Sequence, residues 1–179
     1  MAMFVERGYA EVTVAEIAVR AGLTKRTFFN HFPDKREVLF AGATSFVASV
    51  IQHLAAAGDD LHPLDAAVGA LTLSGRELAH YSAFAHARRE LIASSPELQE
   101  RDLIKMASLA AAIAQALGQR GVSPRTATLT AQAAIAVFDT AYLDWVDDPA
   151  ADLDTLMQRA LADLRQAIAA TVVSTTTRS

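Results

Sequence analysis

The chain has 179 residues, of which 52% are apolar and 20% charged, with no cysteine and a formal net charge of −4. This length can bury a core for one or two small domains, and the missing thiols exclude disulfide staples and thiol catalysis while fitting a reducing compartment. No segment reads as a signal peptide or a bilayer span, few stretches alternate with period two, and alanine dominates the apolar residues, so the composition argues for an all-α protein.

The negative total speaks against a nucleic-acid partner until the chain is divided. Residues 1–45 hold six basic groups (Arg7, Arg20, Lys25, Arg26, Lys35, Arg36) against five acidic ones, a net of +1, which leaves −5 on the remainder. Charge acts over a Debye length of ~8 Å, so its placement matters more than its sum. Four of the six basic groups lie between Lys25 and Arg36.

In chain order, Met1 to Arg7 reads as two helical turns with Phe4 and Val5 as apolar contacts, stopped at Gly8. Thr13-Val-Ala-Glu16 is a capping box, in which hydroxyl and carboxylate satisfy each other's orphan amides. The helix it starts carries Val14, Ile17, Ala18 and Ala21 on one face. Gly22 suits a tight turn, and Thr24 is an N-cap for a second short helix. That helix begins with the donors Lys25, Arg26 and Thr27, buries Leu23, Phe28 and Phe32, and stops at Pro33. Two short capped helices around a glycine form a helix-turn-helix, whose second member enters a major groove N-terminus first.

Asp34 to Glu37 reads as a further capping box opening a long helix to Ala57, with Gly58-Asp59-Asp60 as its end. Later helices are expected from Pro63 to about His80, Tyr81 to Ala93, Pro96 to Gln119, Pro124 to Val146 and Leu153 to Thr171. The polar residues 173–179 read as a disordered tail.

The run from Phe4 to Lys35 resembles the DNA-binding domain of the TetR family of bacterial transcriptional regulators. Gly8-Tyr9, Thr13, Ile17-Ala18, Ala21-Gly22, the aromatic pair with His31-Phe32, and Lys35 carry the likeness. The resemblance implies an all-α fold: a three-helix helix-turn-helix domain over residues 1–45, its first helix truncated, then a helical effector-binding and dimerisation domain over 46–172. It implies a cytoplasmic homodimer, a repressor rather than an enzyme, without cofactor or membrane contact. Its partners would be a palindromic double-stranded operator and a small-molecule effector. Lys25, Arg26 and Thr27 are then the base-edge candidates, since Lys and Arg reach guanine and the threonine methyl meets that of thymine. Thr13, Thr24, Asn30, His31 and Lys35 become phosphate contacts that fix register. Thr13 serves equally as a plain cap, and His31 as a core residue. Phe29 departs from the family's tyrosine and has no hydroxyl for a phosphate, which leaves packing or an apolar contact with thymine methyl or sugar. The shortened first helix leads us to expect weaker operator binding than in an upstream-extended chain.

Beyond that domain, Tyr81, Phe84, Arg88, Met106, Phe138, Tyr142 and Trp145 are candidates to line an effector pocket, with ordinary core packing as the alternative. Ala127, Ala131, Ala134 and Ile135 form one small-residue stripe, and Leu156, Ala160, Leu164 and Ile168 another. These suit a four-helix bundle between two subunits, or the core of one. Glu77-Leu-Ala-His80 is half of a di-iron carboxylate pattern whose other half is missing. An all-helical ligand- or metal-binding protein that does not touch DNA stays open as the alternative.

Overall fold

A computed structural model describes residues 2–77 and 82–176, with the side chains of 82, 83 and 170–176 left out of account. Every regular element among the described residues is helical: α1 (Ala2–Arg7), α2 (Val14–Arg20), α3 (Lys25–His31), α4 (Ala43–Ala56), α5 (Pro63–Gly75), α6 (Ser82–Ala93), α7 (Pro96–Gln119), α8 (Pro124–Asp147) and α9 (Leu153–Thr176). The chain separates into two compact units: residues to Phe46 with Ala83–Ser108, and Val47–Ser82 with everything from Leu109 on. The helical region expected as one block from 46 to 172 therefore gives α6 and the start of α7 to the first unit.

In that first unit α1 is too short to persist alone and is held by packing. Phe4, Tyr9 and Val12 bury against Leu39 and Phe40, and Leu91 from α6 and Leu98 from α7 close the same core. Polar contacts reinforce it. Glu37 receives a bond from Arg101 and one of 3.0 Å from Lys105, both on α7. Arg88 on α6 donates to the Leu39 carbonyl at 3.1 Å and to Asp102 at 3.3 Å, with its guanidinium 5.1 Å from the Phe40 ring centre.

The long helix expected from Asp34 does not form. Asp34 Oδ1 does accept the amides of Arg36 (2.8 Å) and Glu37 (3.3 Å), as an N-cap should. The Glu37 carboxylate, however, is drawn to Arg101 and Lys105 instead of back to Asp34, so the box stays half made. Only a 3-10 turn over Arg36–Val38 results, and Gly42, at φ +90°, resets the chain before α4 begins. Residues 38–58 carry no Asp, Glu, Lys or Arg. This break and the polar residues of α4 still leave no helix long and apolar enough to cross a membrane among the described residues.

In the second unit α5, α8 and α9 pack on one another. Small residues allow the close approach: a Cβ added at Gly75 would meet a Leu153 methyl at 3.0 Å. Proline stands at N1 of both α5 and α8, where its missing N–H costs nothing, and Ser123 caps α8. Arg120 lies over the end of α4, donating to the carbonyls of Leu54 (3.1 Å), Ala57 (2.9 Å) and Gly58 (2.7 Å). The buried Ser74 hydroxyl accepts from Ser49 at 3.1 Å and lies 3.1 Å from His53 Nδ1. Helix α9 continues through Thr176, so the tail expected from 173 is helical over its first four residues; 177–179 lie outside the described residues.

Candidate nucleic-acid interface

The capping predicted for the two short helices is present. Thr13 Oγ1 accepts the Glu16 amide at 3.3 Å, while Glu16 Oε2 accepts the Thr13 amide at 2.9 Å and its hydroxyl at 2.8 Å. Arg7, at the end of α1, adds a 2.7 Å ion pair to the same carboxylate. The Thr13 amide, then the Arg7 guanidinium and the Thr13 hydroxyl, pull the Glu16 carboxyl down to about 2. At the turn, Gly22 takes φ +67° and Leu23 N donates to Ala18 O at 2.8 Å. Thr24 then caps α3 through the Thr27 amide at 3.1 Å.

Helix α3 is held from one side. Phe28 is 2% exposed, and its ring lies 5.3 Å from that of Phe32 and 5.5 Å from that of Phe29. Lys25, Arg26, Phe29, Asn30 and His31 are exposed. The donors expected to read bases are therefore turned outward at Lys25 and Arg26. Thr27 is different: it is half-buried, and its hydroxyl lies 2.9 Å from that of Thr24. Of the three donors expected to read bases, Thr27 is the least accessible.

The phosphate candidates divide in the same way. Asn30 and His31 are exposed, whereas the Thr13 hydroxyl donates to Glu16 and that of Thr24 accepts the Thr27 amide and lies 2.9 Å from the Thr27 hydroxyl. Lys35 is the clearest correction. Its Nζ donates to the carbonyls of Tyr9 (2.9 Å), Ala10 (3.3 Å) and Val12 (3.1 Å), so an ammonium with three protons has none left for DNA. Its place is to close the loop between α1 and α2.

The pocket candidates do not gather within one unit. Phe84, Arg88 and Met106 belong to the first, with Phe84 47% exposed and Arg88 committed to Leu39 and Asp102. Phe138, Tyr142 and Trp145 belong to the second, as a run of neighbouring rings 5.9 and 5.8 Å apart on α8. Tyr81 and His80 lie outside the described residues. Two grooves flank α5 instead. One of about 310 Å³ faces α9, lined by Val68, Thr72, Leu73 and Leu161. The other, of about 220 Å³, faces the end of α4 and is lined by His53, Ala57, Leu61 and Leu73. Neither was visible in the sequence, because the exposed side of α5 gives no periodic signal.

The small-residue stripes also find their place. Ala127, Ala131, Ala134, Ile135 and Ala160 are each 7% exposed or less, buried within the single chain. They are core, not a surface for a second subunit; Leu156 and Leu164 are half-buried, and Ile168 is exposed. Periodicity marks an apolar face without saying what covers it. Among the described residues no three His, Asp or Glu side chains gather to hold a metal.

Two family models match this arrangement. One, described as bacterial regulatory proteins of the tetR family, covers residues 1–41. The other, described as the MftR C-terminal domain, covers residues 61–169. The uncharacterized HTH-type transcriptional regulators Rv2250c of Mycobacterium tuberculosis and Mb2274c of Mycobacterium bovis are 38% identical over 60 residues, 34% of this chain and 32% of theirs. The match thus spans about a third of the length of these curated relatives. The crystal structure of the TetR family regulator PfmR from Thermus thermophilus superposes with a TM-score of 0.48 at 21% identity, covering 91% of this chain and 92% of that one. With a helix-turn-helix at one end and the matching helical domain over most of the rest, the chain belongs to the TetR family of transcriptional regulators.

Proposed function

We propose that this chain is a homodimeric repressor that binds a palindromic operator and releases it when a small molecule binds its second unit. One observation carries the DNA part: α3 turns Lys25, Arg26 and Asn30 to solvent while Phe28, 2% exposed, fixes the helix from behind. Bidentate donors held on a rigid helix are what direct readout of a major groove requires.

Dimerisation is supported by the outer side of α8, where the exposed residues Leu129, Gln132, Ala136, Thr140 and Leu143 recur every three to four positions. Leu129 is 64% exposed and Ile168, on α9, 62%. A two-fold dimer presents two recognition helices about 34 Å apart, hence a palindrome. The family and the grooves beside α5 support a small effector acting by its differential affinity for two conformers. A coupling of ~1–3 kcal/mol would change operator affinity about 5- to 150-fold. A reducing cytoplasm fits the absence of cysteine.

The deciding experiment is binding selection by the full chain from a randomised duplex, followed by footprinting of the enriched sequence. A palindrome with half-sites about ten base pairs apart is expected. A pool that stays random after repeated rounds would refute the DNA-binding reading.

A further inference from the structure

The ring of Phe29 stands on the exposed face of α3, beside Lys25, Arg26 and Asn30. It is 53% exposed, against 2% for the adjacent Phe28. With about 100° of rotation per residue, Lys25, Phe29, Arg26 and Asn30 fall in that order across one arc of about 140°. Phe28 and Thr27 lie outside that arc. Lys25 and Phe29 are four apart and Arg26 and Phe29 three apart, so both cations are direct neighbours of the ring on the helix surface. The ring also has a defined support: it meets Phe28 edge-on at 5.5 Å and 89°. An apolar side chain placed between two donors gains nothing from solvent, and it has no group to offer a phosphate.

A major groove offers one apolar group on its base edges, the C5 methyl of thymine. We infer that Phe29 is a specificity-determining residue that packs on a thymine methyl in each half-site, beside the bases read by Lys25 and Arg26. The inference rests on the DNA-binding reading above and adds a base preference to it. The contact exchanges ring and methyl surface with water for contact with each other. Because Phe28 already orients the ring, little side-chain freedom is lost on binding.

The methyl can be removed without touching the protein. In the selected duplex, each thymine is replaced in turn by deoxyuridine, which keeps all pairing and groove hydrogen bonds. Wild-type affinity is expected to fall about three- to fivefold at one thymine per half-site, the scale of one buried methyl, and to be unchanged elsewhere. Phe29→Ala should bind the thymine duplex more weakly and show no further loss on the uracil duplex, whereas Phe29→Leu should retain part of the discrimination. Circular dichroism of both variants reports whether the fold is intact, and the wild-type series stands without them. Indifference of wild type to every uracil, or an equal uracil penalty in wild type and Phe29→Ala, overturns the contact while leaving DNA binding in place. Failure to select any sequence overturns both.

Discussion

Lys35 Nζ lies 2.9 Å from the carbonyl oxygen of Tyr9 and 4.3 Å from the centre of the same residue's ring. With two further carbonyls from Ala10 and Val12, the ammonium closes the α1–α2 loop around one charge. Charge-assisted bonds of this kind contribute ~1.5–3 kcal/mol where they are shielded from water. Lys35→Met should therefore lower the stability of the first unit by about 2 kcal/mol, read by chemical denaturation without DNA. A pure phosphate contact would leave that measurement unchanged and lower only operator affinity.

Glu37 faces two cations on α7, and the Arg101 bond, followed by that from Lys105, holds its carboxyl below the ordinary value of 4.5. A carboxyl depressed on folding stabilises the native state fully above its unfolded pKa and loses that contribution as pH falls through the folded one. Its side chain is only 14% exposed, so screening by solvent is modest. Stability should decline as pH drops below about 4.5. Glu37→Gln should remove about 2 kcal/mol at neutral pH and flatten that acid limb; denaturant midpoints between pH 3 and 7 would check both.

On the reading face, Arg26→Ala should weaken the selected duplex by ~1–3 kcal/mol and relax preference at one base position. Thr27 is half-buried, with its amide and hydroxyl engaged by Thr24. Thr24→Ala should accordingly cost about 1 kcal/mol of stability through the lost cap, and reduce DNA binding without changing the sequence preferred. Competition assays against single-base variants separate the two behaviours.

For the two sides of α8 the expectations are opposite. Leu129→Glu, at an exposed position, should leave the melting curve of the monomer nearly intact and shift the light-scattering mass from dimer to monomer. Ala134 is fully buried, and Ala134→Leu should overpack the core at a cost of ~1–3 kcal/mol.

What the sequence revealed was what is settled within a few residues. Thr13 and Glu16 make their box, Thr24 caps α3, and Pro63, Pro96 and Pro124 open their helices, because each depends on neighbours in the chain. What it hid depends on partners far along it. Glu37 would have completed a box with Asp34 had Arg101 and Lys105 not been there, and Lys35 looks like a surface cation until the carbonyls of Tyr9, Ala10 and Val12 are folded beneath it. Alanine stripes on α8 were legible as apolar, but whether α5 and α9 or a second subunit covered them was not.

Leu91 and Leu98 belong to the same core as Phe4, Val12 and Phe40, although some fifty residues of sequence separate the two groups. The reading head is therefore not a cassette that ends where its helix-turn-helix ends. A chimera joined just after Phe46 would strip the apolar floor from beneath Leu39 and Phe40. A graft meant to carry this helix-turn-helix onto another scaffold must bring α6 and the opening turns of α7 with it.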